Sequence, residues 1–132
     1  MNVVAIVGVG NMGGPMAARL LEQGWSVRVC DLVPAKVEAA ERSGAVACRS
    51  PAEAVAGCSA LIVCVVDAAQ TQQVLFGPDG AAPVMQPGQA VLLCPTIAPQ
   101  DTGEFARRWR QAASMRSMRR CRVDPREPVT EP

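Results

Sequence analysis

Residues 3–13 read Val3-Val4-Ala5-Ile6-Val7-Gly8-Val9-Gly10-Asn11-Met12-Gly13. Five apolar, mostly β-branched residues run straight into a glycine, the pattern of a strand buried on both faces. From Asn11 to Gln23 the apolar residues take helical spacing, with Met12, Met16, Leu20 and Leu21 on one side, and Gly24 stops the helix. Trp25–Cys30 is predicted as a second strand, with Asp31 at its C-terminal end. The segment is therefore a strand, a glycine turn, a helix and a second strand.

The same alternation continues outward. A helix is predicted over Pro34–Arg42, with proline in its first turn. Ala45–Ala47 is a short third strand. Ser50-Pro51-Ala52-Glu53 is a capping box that starts a short helix. Ala60–Val66 is the fourth strand, and Asp67 caps a helix running through Leu75. Gly77-Pro78-Asp79-Gly80 is a turn, Ala90–Cys94 is the fifth strand, and Pro99 opens a helix toward Trp109. Strands alternating with helices imply an α/β fold: a Rossmann-like doubly wound parallel sheet of five strands. The sheet is expected to be incomplete, with the fifth strand as an open apolar edge.

The first turn carries the chemistry. Gly8 permits a tight bend, Gly10 lets backbone approach a ligand, and Gly13 lets the helix pack close to the strand. The N–H groups at the helix start and its dipole favour an anion. Asp31 follows Gly13 by 18 residues, where a carboxylate can accept hydrogen bonds from ribose hydroxyls. A glycine loop for a pyrophosphate and an acid for a ribose imply a nicotinamide dinucleotide held by Gly8, Val9, Gly10, Asn11, Met12, Gly13 and Asp31. Asp31 would repel a 2′-phosphate, so NAD is expected rather than NADP; Arg28 could weaken that preference only by reaching round to the site. Asp31 could instead serve as a plain helix cap. Ligands of such sheets lie where strand order reverses, which places the loop Val65-Val66-Asp67 beside the cofactor.

Composition limits the alternatives. Hydrophobic residues make up 49% and charged residues 19%, so a folded chain is expected. No apolar run approaches the roughly 20 residues of a bilayer span, and no basic region precedes the apolar start. The six cysteines form no C-x-x-C pair, and without histidine no metal site is expected. Buried reduced thiols in a cytoplasmic protein are the expectation. Residues 1–106 hold five basic and nine acidic side chains, a net of −4. Residues 107–132 hold eight arginines and three acids, a net of +5.

Gly8-Val9-Gly10-Asn11-Met12-Gly13-Gly14-Pro15-Met16-Ala17 resembles the opening of the 3-hydroxyacid (β-hydroxyacid) dehydrogenases. VVDAAQTQQVLFG from Val65 to Gly77 is similar to the L-threonate dehydrogenase branch, and PTIAP at 95–99 resembles the family's S-T-I-x-P segment. The resemblance covers about residues 1–108. It implies an NAD(P)-binding N-terminal domain whose cofactor positions are Gly8 to Gly13, Asp31, Val65, Val66 and Thr96. It also implies a substrate segment, D-x-P-V-S-G-G-x-x-x-A-x-x-G-T, a general acid/base lysine on a later helix, and a large helical domain. None of these occurs in the 132 residues. The only lysine, Lys36, lies on the second helix, away from where the nicotinamide is expected, so no catalytic residue is assigned.

From Arg108 the sequence runs RWRQAASMRSMRRCRVDPREPVTEP to its end. Joining the last base of each codon to the first two of the next, with permitted codons, gives LAPGGIDAVDAPVSGGPARARDGT, which contains the absent substrate segment. The chain is therefore expected to divide into an NAD(P)-binding unit, 1–108, and an arginine-rich, frameshifted and disordered tail, 109–132. On this reading it is an inactive fragment of a 3-hydroxyacid dehydrogenase, with the hydroxyacid a partner only of the full-length parent. The alternatives are a non-catalytic nucleotide-binding protein, or a tail that binds nucleic acid or protein; no aromatic interleaving supports nucleic acid.

Overall fold

A computed structural model describes residues 2–10, 12–65, 67–86, 88–94, 99–112 and 117–120. In chain order the elements are β1 (Val3–Val7), α1 (Gly13–Glu22), β2 (Ser26–Cys30), α2 (Pro34–Arg42), β3 (Val46–Ala47) and α3 (Pro51–Val55). They continue with β4 (Ala60–Val63), α4 (Ala68–Phe76), β5 (Ala90–Leu93), α5 (Pro99–Ala112) and β6 (Ser117–Arg120). The sheet is parallel, in the order β3-β2-β1-β4-β5-β6. Strand order reverses between β1 and β4, as a doubly wound fold requires.

Side-chain alternation along β1 explains the two cores. Ala5 and Val7 face α3, α4 and α5, packing with Leu61, Val63, Leu75, Leu93 and Phe105. Val4 and Ile6 face α1 and α2, packing with Ala17, Val27, Val29 and Ile62. Both faces of the central strands are buried, so their sequences read as continuous apolar runs rather than as an alternation. Each buried Val, Leu, Ile or Phe side chain contributes about 1.5–3 kcal/mol relative to an exposed one.

The predicted caps form. Ser50 Oγ accepts from the Glu53 N–H at 3.1 Å, and Glu53 Oε2 accepts from the Arg49 N–H at 3.1 Å. Asp67 Oδ1 accepts from the Gln70 N–H at 2.9 Å. The turn after α4 includes Asp79 at φ 57°, a left-handed position that aspartate tolerates.

One feature of the expected sheet is corrected. The sixth strand is present, and β5 is paired on both sides rather than left as an open edge. β6 comes from Ser-Met-Arg-Arg, which has no apolar signature; a ladder of backbone hydrogen bonds needs none. α5 runs past Arg108 to Ala112. The Arg108 guanidinium stacks 4.1 Å from the Phe76 ring and donates to Gln72 Oε1, fastening α5 to α4.

Cys30, Cys58 and Cys94 are buried, and Cys48 and Cys64 are half-buried. Cys121 lies outside the described residues. Burial, then the Cys48 thiol and the Asp31 and Glu53 carboxylates, push the Cys30 pKa from 9.0 up to about 11. Cys48 and Cys58 are also raised, burial being the largest cause in each. The folded chain therefore holds thiol protons that the unfolded chain releases near pH 9. That stabilisation is complete below pH 9 and is lost as pH rises toward 11. At about 1.4 kcal/mol per pH unit, Cys30 alone accounts for about 3 kcal/mol. The thermal midpoint is expected to fall between pH 8.5 and 11, and to fall less steeply in Cys30→Ala. A Cys30→Ala profile parallel to wild type would remove Cys30 from the effect.

Candidate functional site

β1, β2 and β4 end together. The Gly8 N–H donates to the Cys30 carbonyl at 2.9 Å, and the Cys64 N–H donates to the Val7 carbonyl at 2.8 Å. This common edge is the lip on which the glycine loop sits.

Each glycine of the loop has a distinct steric reason. Gly8 has φ +94°, and a Cβ there would stand 2.6 Å from the Cys64 carbonyl oxygen. A Cβ on Gly13 would stand 1.8 Å from the Gly8 carbonyl oxygen, so α1 can approach β1 this closely only at a glycine. Gly10 faces outward, and the nearest atom to a Cβ there is Lys36 Nζ at 3.3 Å. Met12 precedes α1 and is 51% exposed; α1 has neither a side-chain cap nor an acid in its first turn. The positive end of its dipole thus faces the loop without a side-chain cap, while the Gly14 N–H donates to the Gly10 carbonyl at 3.0 Å and Pro15 carries no N–H.

Asp31 follows β2, and its carboxylate braces the loop. Oδ2 accepts from the Val9 N–H at 2.8 Å, and Oδ1 accepts from the Val33 N–H at 2.9 Å. The helix-capping alternative is not what forms, since the N-cap residue of α2 is Val33 and no side chain caps that helix; part of the Asp31 acceptor capacity also stays open, an ionised carboxylate having about four lone-pair positions. The loop from β1 and the turn into α2 are joined through this one side chain. Leu32, beside it, is almost fully exposed.

Arg28 does not reach the site. Its guanidinium donates to the Ala54 carbonyl at 3.5 Å and to the Ala56 carbonyl, and lies 3.8 Å from Cys58 Sγ. It thus neutralises the carbonyl end of α3. Val65, half-buried past the end of β4, stands beside the loop's strand. Asn11, Val66 and Thr96 lie outside the described residues. Among the described residues no group of three or more Cys, Asp or Glu is placed to hold a metal ion, and no helix is long and apolar enough to cross a membrane.

Sequence reasoning placed Gly8, Val9, Gly10, Met12, Gly13 and Asp31 together, and the structure brings them together. It missed Lys36. A lysine two residues after a helix-starting proline shows its position in sequence, but not that its stem lies across a loop 26 residues earlier.

A switch point between β1 and β4, a glycine loop meeting an unprotected helix start, and an acid closing the second strand define a dinucleotide-binding domain of the doubly wound class. Residues 3–117 match the family model for the NAD binding domain of 6-phosphogluconate dehydrogenase, and the chain belongs to that family, as an N-terminal domain of the 3-hydroxyacid dehydrogenase type. It is 40% identical over 105 residues to the L-threonate dehydrogenase of Cupriavidus necator, covering 80% of this chain and 35% of that protein. It is 37% identical over 99 residues to the NAD-dependent L-serine dehydrogenase of Pseudomonas aeruginosa, covering 75% of this chain and 33% of that one. The crystal structure of 3-hydroxyisobutyrate dehydrogenase from Salmonella typhimurium superposes with a TM-score of 0.82 at 37% identity, covering 90% of this chain and 41% of that one. The chain thus spans about a third of the length of the curated relatives it matches.

Proposed function

We propose that these 132 residues bind NAD through Gly8, Val9, Gly10, Asn11, Met12, Gly13, Asp31, Val65, Val66 and Thr96, and that by themselves they do not turn over a hydroxyacid. The observation that carries the reading is the cradle itself: side chains at Gly8 and Gly13 would collide with backbone, so this close loop geometry tolerates nothing larger. The residues therefore fit a dinucleotide. The bound nicotinamide supplies hydride transfer. The chain's part is to hold the pyrophosphate on the α1 N-terminus and the adenosine ribose on Asp31.

NAD is preferred over NADP because Asp31 brings a carboxylate to the ribose and Arg28 is committed to α3. The chain's sole lysine sits at the glycine loop, so a proton acceptor for a substrate hydroxyl is not supplied from it. Residues 1–108 form the cofactor unit, and 109–132 are read as a frameshifted continuation. A longer parent with the substrate segment would act on a small 3-hydroxyacid, of the kind named by its L-threonate and 3-hydroxyisobutyrate dehydrogenase relatives. A nucleic-acid role for the arginine-rich segment is disfavoured, since no aromatic interleaving or nucleic-acid motif accompanies its arginines. Thiols kept reduced suit the cytoplasm.

Calorimetric titration of the full chain is expected to give saturable NADH binding, with NADPH weaker by about tenfold, as one like-charge contact at the surface predicts. NADH formation from NAD with threonate or 3-hydroxyisobutyrate is expected to be nil. Tighter NADPH binding, or hydroxyacid-dependent turnover, would sink the corresponding half of the proposal.

A further inference from the structure

We infer that Lys36 is a ligand of the dinucleotide's diphosphate bridge, a role that rests on the cofactor reading above and extends it to a side chain. Lys36 is exposed and sits in the first turn of α2. Its exposed stem turns toward the glycine loop. Nζ, Cε and Cδ lie 3.3, 3.7 and 4.0 Å from the position of a Cβ on Gly10, so the last three atoms lie across the open side of the glycine loop. Among the described residues no carboxylate lies within ion-pair distance of it, the one such pair being Arg19–Glu22. A cation in the first turn of a helix opposes the helix dipole. Neither α2 nor an ion pair therefore accounts for the ammonium; the loop beneath it does.

The charge balance of the site points the same way. A diphosphate bridge is a dianion. The loop offers it backbone N–H groups and the fractional positive charge of α1, while Asp31, tied to the Val9 N–H, brings a full negative charge to the same loop. An ammonium over Gly10 offsets that carboxylate. A groove of about 210 Å³ between α1 and α2, lined by Lys36 and by the small residues Gly14, Ala17, Ala18 and Ala40, gives the stem room to follow the ligand.

The position over Gly10 assigns the lysine to the bridge rather than to a 2′-phosphate, and titration separates the two. The full-length wild-type chain, Lys36→Gln and Lys36→Arg would be titrated with NADH, NADPH and ADP-ribose at low and high salt. For a charge-assisted contact at the surface, Lys36→Gln is expected to weaken all three by a similar factor, about tenfold at low salt. The gap should narrow at high salt. Lys36→Arg should stay within about threefold of wild type, since the charge is kept. All variants should melt with wild type, because the side chain is exposed. Lys36→Gln binding like wild type, or a loss confined to NADPH, overturns the assignment while leaving the cofactor reading intact. Failure of the wild-type chain to bind any of the three overturns both.

Discussion

Gly13→Ala is expected to abolish dinucleotide binding and to lower the thermal midpoint by about 10 °C. The added methyl would stand 1.8 Å from the Gly8 carbonyl oxygen. Even tight contacts to a Cβ keep about 3 Å, so α1 or the loop must move by more than an ångström. Neither moves alone. α1 packs on the sheet through Ala17, which is 1% exposed, and the loop is held to β2 by the Gly8 N–H and to Asp31 by the Val9 N–H. Overpacking of this kind costs about 3 kcal/mol. The same displacement carries the positive end of the α1 dipole away from the loop. Gly103→Ala is the control. It lies within α5 with nothing within 4 Å of an added Cβ. Alanine in place of a helical glycine should raise stability by up to about 1 kcal/mol and leave binding unchanged. Urea denaturation and NADH titration of both variants read the two effects. A Gly13→Ala chain that binds NADH like wild type would show that the loop does not hold the cofactor.

The contrast among the glycines explains what was legible in the sequence. Gly8 and Gly13 collide with backbone, so their identity is written into the local strand–turn–helix pattern, and the pattern is enough to find them. Gly10 would meet the far end of a flexible side chain, and nothing local says whose. Asp31 was legible as the acid ending β2, but its grip on the Val9 N–H was not, because a contact across 22 residues exists only once β1 and β2 are paired. Arg28 likewise showed its charge and not its direction. The strands were legible where they are buried on both faces, and least so in β6, whose residues carry no apolar pattern and take their place from β5.

Asp31→Ala is expected to weaken NADH binding by about 30-fold and to destabilise the fold by about 2 kcal/mol. Two separable losses make up that effect. The first is structural: the carboxylate accepts from the Val9 and Val33 N–H groups at 2.8 and 2.9 Å, and alanine leaves both donors without it. A hydrogen bond to a charged acceptor contributes about 1.5–3 kcal/mol where it is buried and less here, where both sites are partly open to water. The second is recognition: the remaining lone pairs are those proposed to accept the ribose hydroxyls, and losing them costs about 2 kcal/mol of binding on the same scale. Asp31→Asn separates the two. Its single amide oxygen can keep one backbone N–H, so much of the stability should return. The negative charge is gone, so repulsion of a 2′-phosphate goes with it, and Lys36 stands nearby without a compensating carboxylate. The ratio of NADPH to NADH dissociation constants is therefore expected to fall by about tenfold in Asp31→Asn. If stability drops in Asp31→Ala while the cofactor ratio stays fixed in Asp31→Asn, the residue is a brace of the loop alone, and the preference for NAD must come from elsewhere in the site.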